Sequence, residues 1–157
     1  KGLLAGWNIS GVFRYESGRP LRIVMTNDMV GFLFKGAKRP KRTGADGVAG
    51  GGEFEPATDN YFNPRAWTGP GPLTFGNAPR ADGSVRGFAT YNEDLNISKT
   101  FYLTKSARMR LEAMAGNVFN RVRFCDPATN WSAASFGVVA TQCNVARSVQ
   151  FGARVDF

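Results

Sequence analysis

The chain ends on Val149-Gln150-Phe151-Gly152-Ala153-Arg154-Val155-Asp156-Phe157, the stretch that decides how its fold is interpreted. Every odd position of this stretch is apolar: Val149, Phe151, Ala153, Val155 and Phe157. An alternation of period two predicts a β-strand with one apolar face and one polar face. Such a strand is compatible with a transmembrane β-barrel and also with the last strand of a soluble β-sandwich. Alternation alone does not distinguish these two folds.

Three earlier segments alternate in the same way. Trp7 to Tyr15 is long enough to cross a bilayer as a tilted strand, and it carries aromatic residues at both ends. Asn92 to Leu103 also alternates, although Lys99 falls on its apolar face. Arg108 to Gly116 follows a short polar turn, which predicts a hairpin. An amphipathic helix is the alternative for Arg108 to Ala115, because Met, Leu, Glu and Ala favour helices.

Composition supports an all-β chain. It contains 157 residues, 43% of them hydrophobic, with 19 Gly and 13 Phe, which suits strands joined by many turns. No apolar run is long enough for a transmembrane helix, and barrel strands remain compatible with that pattern. The chain begins Lys-Gly-Leu-Leu, without Met or a signal peptide. We therefore expect residues 1–157 to be the C-terminal portion of a longer protein.

Two long segments separate the predicted strands. Leu21 to Thr26 alternates as if it continued the first strand. The segment that follows, Asn27 to Tyr91, lacks sustained periodicity. The basic run Lys35 to Arg42 should be exposed, either in contact with lipopolysaccharide phosphates or only with solvent. The net charge of +8 has the same two interpretations, and we expect no nucleic-acid partner. Asn117 to Arg147 is the second long segment.

The two cysteines, Cys125 and Cys143, lie in that second segment. The sequence contains no His and no Cys-x-x-Cys, so a zinc site would have too few ligands. An oxidised pair in an extracytoplasmic compartment is the preferred interpretation, with two free core cysteines as the alternative. Without His, acid–base chemistry would rest on carboxylates that have no diagnostic spacing, such as Asp59, Asp94 and Asp126. We expect no enzyme activity, no metal and no cofactor.

The order of several short motifs resembles the late barrel of TonB-dependent receptors, in particular the Oar-like group with an N-terminal carboxypeptidase-regulatory-like domain. These motifs are Tyr61-Phe62-Asn63-Pro64, Thr74-Phe75-Gly76-Asn77-Ala78-Pro79-Arg80, Val85-Arg86-Gly87, Asp94-Leu95 with Lys99, Asn117-Val118-Phe119-Asn120, Phe136-Gly137 and Gln150-Phe151-Gly152. The terminal strand is also similar to the C-terminal signal of outer-membrane barrels, whose last Phe is read by the barrel-assembly machinery. Its residues would be Val149, Phe151, Ala153, Val155 and Phe157.

The resemblance implies an antiparallel meander forming the C-terminal part of a transmembrane β-barrel of about 22 strands in the bacterial outer membrane. It also implies a plug and a TonB contact in a missing N-terminal part, surrounding outer-membrane lipid and lipopolysaccharide, and uptake of a siderophore, glycan or peptide. Phe157 would lie at the periplasmic rim, residues 104–107 would form a periplasmic turn, and residues 27–91 and 117–147 would form external loops.

The same picture assigns a lumen face. Arg110, Glu112, Arg154 and Asp156 would project into the interior, because their odd-numbered neighbours suit lipid. If the periplasmic ends of the last two strands are level, Arg110 faces Asp156 and Glu112 faces Arg154.

The alternative function is a soluble extracellular β-sandwich that binds carbohydrate. Aromatic residues in the long segments are the candidate ligand contacts for either function: Tyr61, Trp67 and Trp131.

Overall fold

The computed structural model describes residues 4–26, 38–49, 54–71 and 73–157. Its elements are β-strands and one short 3-10 helix, Pro64–Ala66; the strands are β1 Trp7–Glu16, β2 Pro20–Leu21, β3 Lys41–Arg42, β4 Trp67–Thr68, β5 Asp82–Arg86, β6 Thr90–Tyr102, β7 Arg108–Gly116 and β8 Ser148–Asp156. The described residues form no α-helix. The prediction of an all-β antiparallel fold is therefore confirmed, and the helical alternative for residues 108–115 is wrong.

The chain divides into two compact units. The sheet unit contains Lys1–Glu16, Thr90–Arg123 and Asn144–Phe157, and the loop unit contains Ser17–Ala89 and Phe124–Cys143. The four long strands belong to the sheet unit and form one sheet in the order β1-β6-β7-β8. Every neighbouring pair in this sheet is antiparallel, and β1 and β8 are its edges.

A tight turn joins β6 to β7. The backbone N–H of Leu103 donates to the carbonyl of Ala107 over 2.9 Å. The hydroxyl of Thr104 accepts a hydrogen bond from the N–H of Ala107 over 2.9 Å, and this bond stabilises the turn. The long connections leave the sheet at its other end, where Glu16 pairs with Thr90 and Gly116 pairs with Ser148. The predicted pairing of the hairpin strands is confirmed, with Ile97 opposite Ala113.

The register of β7 and β8 differs from the predicted one by two residues. Arg108 lies opposite Asp156, Arg110 lies opposite Arg154, and Glu112 lies opposite Gly152. A side chain at Gly152 would begin only 3.0 Å from the Cγ and an Oε of Glu112, so glycine here leaves room for the glutamate. The predicted pairs Arg110–Asp156 and Glu112–Arg154 are therefore wrong, because the two strands are level at Arg108 and Asp156 rather than at Met109 and Phe157.

The loop unit has its own hydrophobic core. The buried residues of this core are Leu21, Ile23, Phe62, Ala66, Trp67, Ala78, Val85 and Phe136. Two small sheets frame it, one from β2 and β5 and the other from β3 and β4. Residues 27–91 are thus not simply an irregular loop: their described part holds short strands and most of this core, and residues 90 and 91 already belong to β6.

Residues 21–26 do not continue β1. Leu21, Ile23 and Met25 are all buried, as their alternation suggests. Their backbone, however, turns to other partners: the N–H of Trp131 donates to the carbonyl of Val24 over 2.8 Å. The break comes at Gly18, where a Cβ would collide with the backbone carbonyl of Gly87. The predicted strand over Leu21 to Thr26 is therefore wrong, because these residues serve the loop unit.

Candidate functional site

The sheet unit carries a continuous apolar face. The registers align the odd-numbered residues of all four strands on one side. These residues include Ile9, Phe13, Leu95, Ile97, Leu111, Ala113, Phe151 and Val155. Many of them are open, with Ile9 69% and Phe151 79% exposed. Water-soluble monomers rarely leave such a face uncovered, so it requires an apolar environment or partner.

Aromatic residues lie at both ends of this face. Tyr15 and Tyr91 pair across β1 and β6 at the end with the long connections, with ring centroids 5.9 Å apart. Trp7 and Phe101 lie toward the short turn. Tyr91 and Phe101 are ten positions apart on β6. At about 3.3 Å per residue and a tilt of about 40°, this corresponds to about 25 Å of height. That is about the height of the apolar band of a transmembrane barrel.

Lys99 lies on the apolar face near the short-turn end and is 5% exposed. Its ammonium donates to the backbone carbonyl of Ala5 over 2.7 Å. The same group lies 4.8 Å from the ring centroid of Trp7 and 5.6 Å from that of Phe101. The charge is thus placed among aromatic rings at the end of the band, where a lysine costs little, rather than at its middle.

Glu93 is the second charged residue on the apolar face, and its side chain is fully buried. The guanidinium Nε of Arg121 lies 3.0 Å from both carboxylate oxygens, and the carboxylate also hydrogen-bonds the hydroxyl of Tyr15. Arg121 packs against the rings of Tyr91 and Phe119, 5.8 and 5.5 Å from their centroids. The hydrogen bond to Glu93 raises the pKa of Arg121, so the guanidinium stays charged. The sequence patterns did not predict this ion pair. Their only indication of it was an acidic residue, Glu93, at a position on the apolar face.

The opposite face of the sheet is polar. The four residues predicted to share a face do so: Arg110, Glu112, Arg154 and Asp156. Asp156 accepts from Arg154 over 2.7 Å and from Arg108 over 3.2 Å. Arg110 lies 3.7 Å from Glu112. Each arginine of the facing Arg110–Arg154 pair therefore has its own acidic partner, and this end of the face is charged.

The other half of the polar face holds a groove of about 600 Å³ that reaches all four strands. Its polar lining is made mainly of hydroxyl and amide groups: Ser10, Asn92, Asn96, Ser148 and Gln150. One carboxylate, Asp94, also lines it. The two halves of the polar face therefore differ in charge.

Asn117 closes the groove at the base of the second long connection. It is 3% exposed and has a positive φ of 48°, a conformation that Asn tolerates better than most residues. Its side-chain N–H groups donate to the carbonyls of Arg121 and Val145, each over 3.0 Å. Its backbone N–H donates to Asp94 over 2.8 Å. Asn117 thus ties the exit from β7 to the entry into β8, which gives the Asn117-to-Asn120 motif a structural role.

Cys125 and Cys143 form a disulfide within the loop unit, with their Cα atoms 4.8 Å apart. This is the pairing that the sequence indicates. The backbone N–H of Cys125 donates to the carbonyl of Thr141 over 2.9 Å, beside the bridge. The segment closed by the disulfide carries Phe136 into the core and Trp131 against it.

The three aromatic residues proposed as ligand contacts are engaged within the loop unit. Trp67 is 2% exposed, so a role in ligand contact is wrong for this residue, because it packs in the core. Trp131 donates its indole N–H to the carbonyl of Pro64 over 3.2 Å, and Tyr61 donates its hydroxyl to the carbonyl of Arg86 over 2.6 Å. Burial, and secondarily the charge of Asp126, raise the pKa of Tyr61. Tyr61 and Trp131 stay candidates, since both are only partly buried.

The basic run Lys35 to Arg42 lies partly outside the described residues, which resume at Lys38. The prediction of exposure is wrong for Arg42, whose side chain is 21% exposed. Its guanidinium packs on the ring of Trp67, 5.1 Å from the centroid, and its Nε lies 3.6 Å from Asp82. Arg42 is a packing residue of the loop unit, so replacing it should disturb that unit.

Among the described residues, no cluster of three or more His, Cys, Asp or Glu could hold a metal ion. No helix of this part of the chain is long and apolar enough to span a membrane.

The sequence matches the model of one protein family, described as "Outer membrane beta barrel domain", over residues 1–150. No curated protein matches the chain, and no solved structure does.

Proposed function

The chain belongs to this family of outer-membrane β-barrel domains and is located in the bacterial outer membrane, and from that premise we propose that it forms the last strands of a TonB-dependent receptor. In this proposal the complete barrel imports a large, scarce nutrient. The chain supplies part of the barrel wall and of the lumen, and no catalysis.

The observation that carries the proposal is the open, two-faced sheet. Its four strands expose an apolar face bounded by aromatic rings and a polar face with a groove. Four strands cannot close a transmembrane barrel, which needs about eight or more. Both edges, β1 and β8, therefore require further strands, and upstream strands of a larger barrel would supply them.

Transport is supported by the connections between the strands. Both long connections leave the sheet at one end, and the short turn lies at the other. In outer-membrane barrels the long loops are external, where they receive ligands, and the short turns are periplasmic. The disulfide fits the same placement, because disulfides persist in oxidising compartments. The motifs shared with Oar-like receptors favour TonB-dependent import over a passive pore.

The partners proposed for the complete protein follow from the same likeness. They are the TonB complex, reached through an N-terminal part, the barrel-assembly machinery, which would read Phe157, and the surrounding lipid and lipopolysaccharide. The soluble carbohydrate-binding sandwich is less well supported, because Ile9, Phe13 and Phe151 stay more than half exposed on the apolar face.

The experiment that tests this function compares nutrient-limited growth of three bacterial strains. One has the gene intact, one lacks it, and one has the gene but lacks TonB. Import by this protein predicts the same growth defect in the second and third strains, on the same nutrient. A nutrient that enters equally well in all three strains on every medium tried would contradict the proposal.

A further inference from the structure

The groove on the polar face is wide enough for a short extended ligand. Its lining comes from all four strands of the sheet unit, from Ser10 on β1 to Gln150 on β8. Neighbouring strands lie about 4.8 Å apart, so three spacings give a span of about 14 Å. An extended peptide rises about 3.3 Å per residue, so about four of its residues would fit across the sheet.

The groove presents no free charge. Asp94 is the one ionisable side chain among the described residues that line it. Its Oδ1 accepts the backbone N–H of Asn117 over 2.8 Å, and its Oδ2 accepts the side-chain N–H of Asn92 over 2.9 Å. An anionic ligand, such as a ferric siderophore, would find no cation here. A cationic ligand would find a single carboxylate, both of whose oxygens already accept hydrogen bonds.

One residue of the lining, Asn96, has an unused hydrogen-bond acceptor. The Oδ1 atom of Asn96 is buried and has no hydrogen-bond partner among the described residues. Asn96 lies at the centre of the sheet, directly opposite Ser10 on one side and Met114 on the other. A buried acceptor without a donor is unfavourable, so the side chain gains a hydrogen bond if its amide turns toward a ligand N–H in the groove.

The remaining lining selects among uncharged ligands. Side chains of Asn and Gln offer a donor and an acceptor together, which matches the N–H and C=O of a peptide group. Val12, Met114 and Val145 are exposed apolar residues that can receive ligand side chains. The described lining includes no aromatic ring on which a sugar could stack.

We propose that this groove binds an uncharged peptide segment in an extended conformation. The inference rests on the proposed function and selects peptides from the classes of nutrient considered there. Asn96 accepts a peptide N–H, and Gln150 and Ser10 bond neighbouring peptide groups.

The test uses the full-length protein purified from outer membranes. The probe is a capped tetrapeptide of alanine, serine and leucine, labelled with tritium, and its dissociation constant is measured by equilibrium dialysis. Asn96→Leu should raise that constant at least tenfold, and Gln150→Leu at least threefold. The matched control is Asn8→Leu. It makes the same change on the same face of the sheet, but on β1 and outside the groove lining. It should change the constant less than twofold.

Heat-modifiable migration on a gel shows whether each variant is folded. If Asn96→Leu does not fold, Gln150→Leu provides the test. Equal weakening by the groove variants and the control would overturn the inference, as would the absence of saturable binding. Displacement of the peptide by maltotetraose or by a ferric tris-catecholate would also overturn it. Energised uptake of another nutrient without peptide binding refutes only the groove assignment. Peptide binding that depends on Asn96, without energised uptake, supports the groove and refutes import.

Discussion

Loss of the Cys125–Cys143 disulfide should destabilise the loop unit selectively. The two cysteines are 18 positions apart. In the chain-entropy model, opening a loop of this size costs about 3 kcal/mol, because the unfolded state gains freedom. The change to test is Cys125→Ala with Cys143→Ala, which removes the bridge without leaving a reactive thiol. Since Phe136 of the closed segment belongs to the core of the loop unit, that whole core should lose stability.

The assay is native-state proteolysis of the full-length protein in graded urea, with cleavage sites mapped by mass spectrometry. Cleavage within residues 54–89 and 126–142 should begin at lower urea in the double variant, while cleavage within β6 and β7 should be unchanged. Wild-type protein treated with reductant serves as the control and should behave like the variant. A loss below about 1 kcal/mol in the loop unit, or an equal loss in the sheet unit, would show that the disulfide does not stabilise the loop unit selectively.

Three further outcomes follow from the described contacts. Phe62→Ala should lower the free energy of unfolding of the loop unit by about 3–5 kcal/mol, because Phe62 is fully buried; a loss under 1 kcal/mol in urea unfolding would show that the site collapses or is not packed. Arg121→Met should speed hydrogen exchange at Val118, whose N–H donates to the carbonyl of Glu93 over 2.8 Å, whereas Arg123→Met should not; equal effects would contradict the special role of Arg121. The raised pKa of Tyr61 means that folding favours its neutral form, so the loop unit should lose stability as pH rises above the ordinary value of 10.0. Tyr61→Phe should reduce this loss in pH-dependent unfolding, and an unchanged profile would contradict that assignment.

Alternation was sufficient to predict the long strands and their faces. In β1 and β8 the side of each residue follows from its odd or even number, because side chains alternate across a strand. Alternation does not determine how far one strand slides along its neighbour, and a slip of two residues keeps every face intact. The predicted pairing of Arg110 with Asp156 failed for this reason, since it placed Phe157, and not Val155, opposite Met109.

The core of the loop unit and the Glu93–Arg121 ion pair were harder to predict. Ile23, Phe62 and Phe136 meet in one core although they are far apart in sequence and follow no shared period. Arg121 lies beyond the end of β7, so no strand pattern links it to Glu93. Contacts of this kind depend on tertiary structure, which local patterns do not encode.

In the proposed barrel, the odd-numbered face of the sheet contacts lipid and the even-numbered face contacts the water-filled lumen. Spin labels placed one at a time from Met109 to Ala115 on β7, in the full-length protein in lipid bilayers, test it most directly. We expect collision with oxygen, which concentrates in lipid, to peak at odd positions, and collision with a water-soluble nickel complex to peak at even positions. Equal exposure of both sets of positions to the nickel complex, or the opposite alternation, would contradict it.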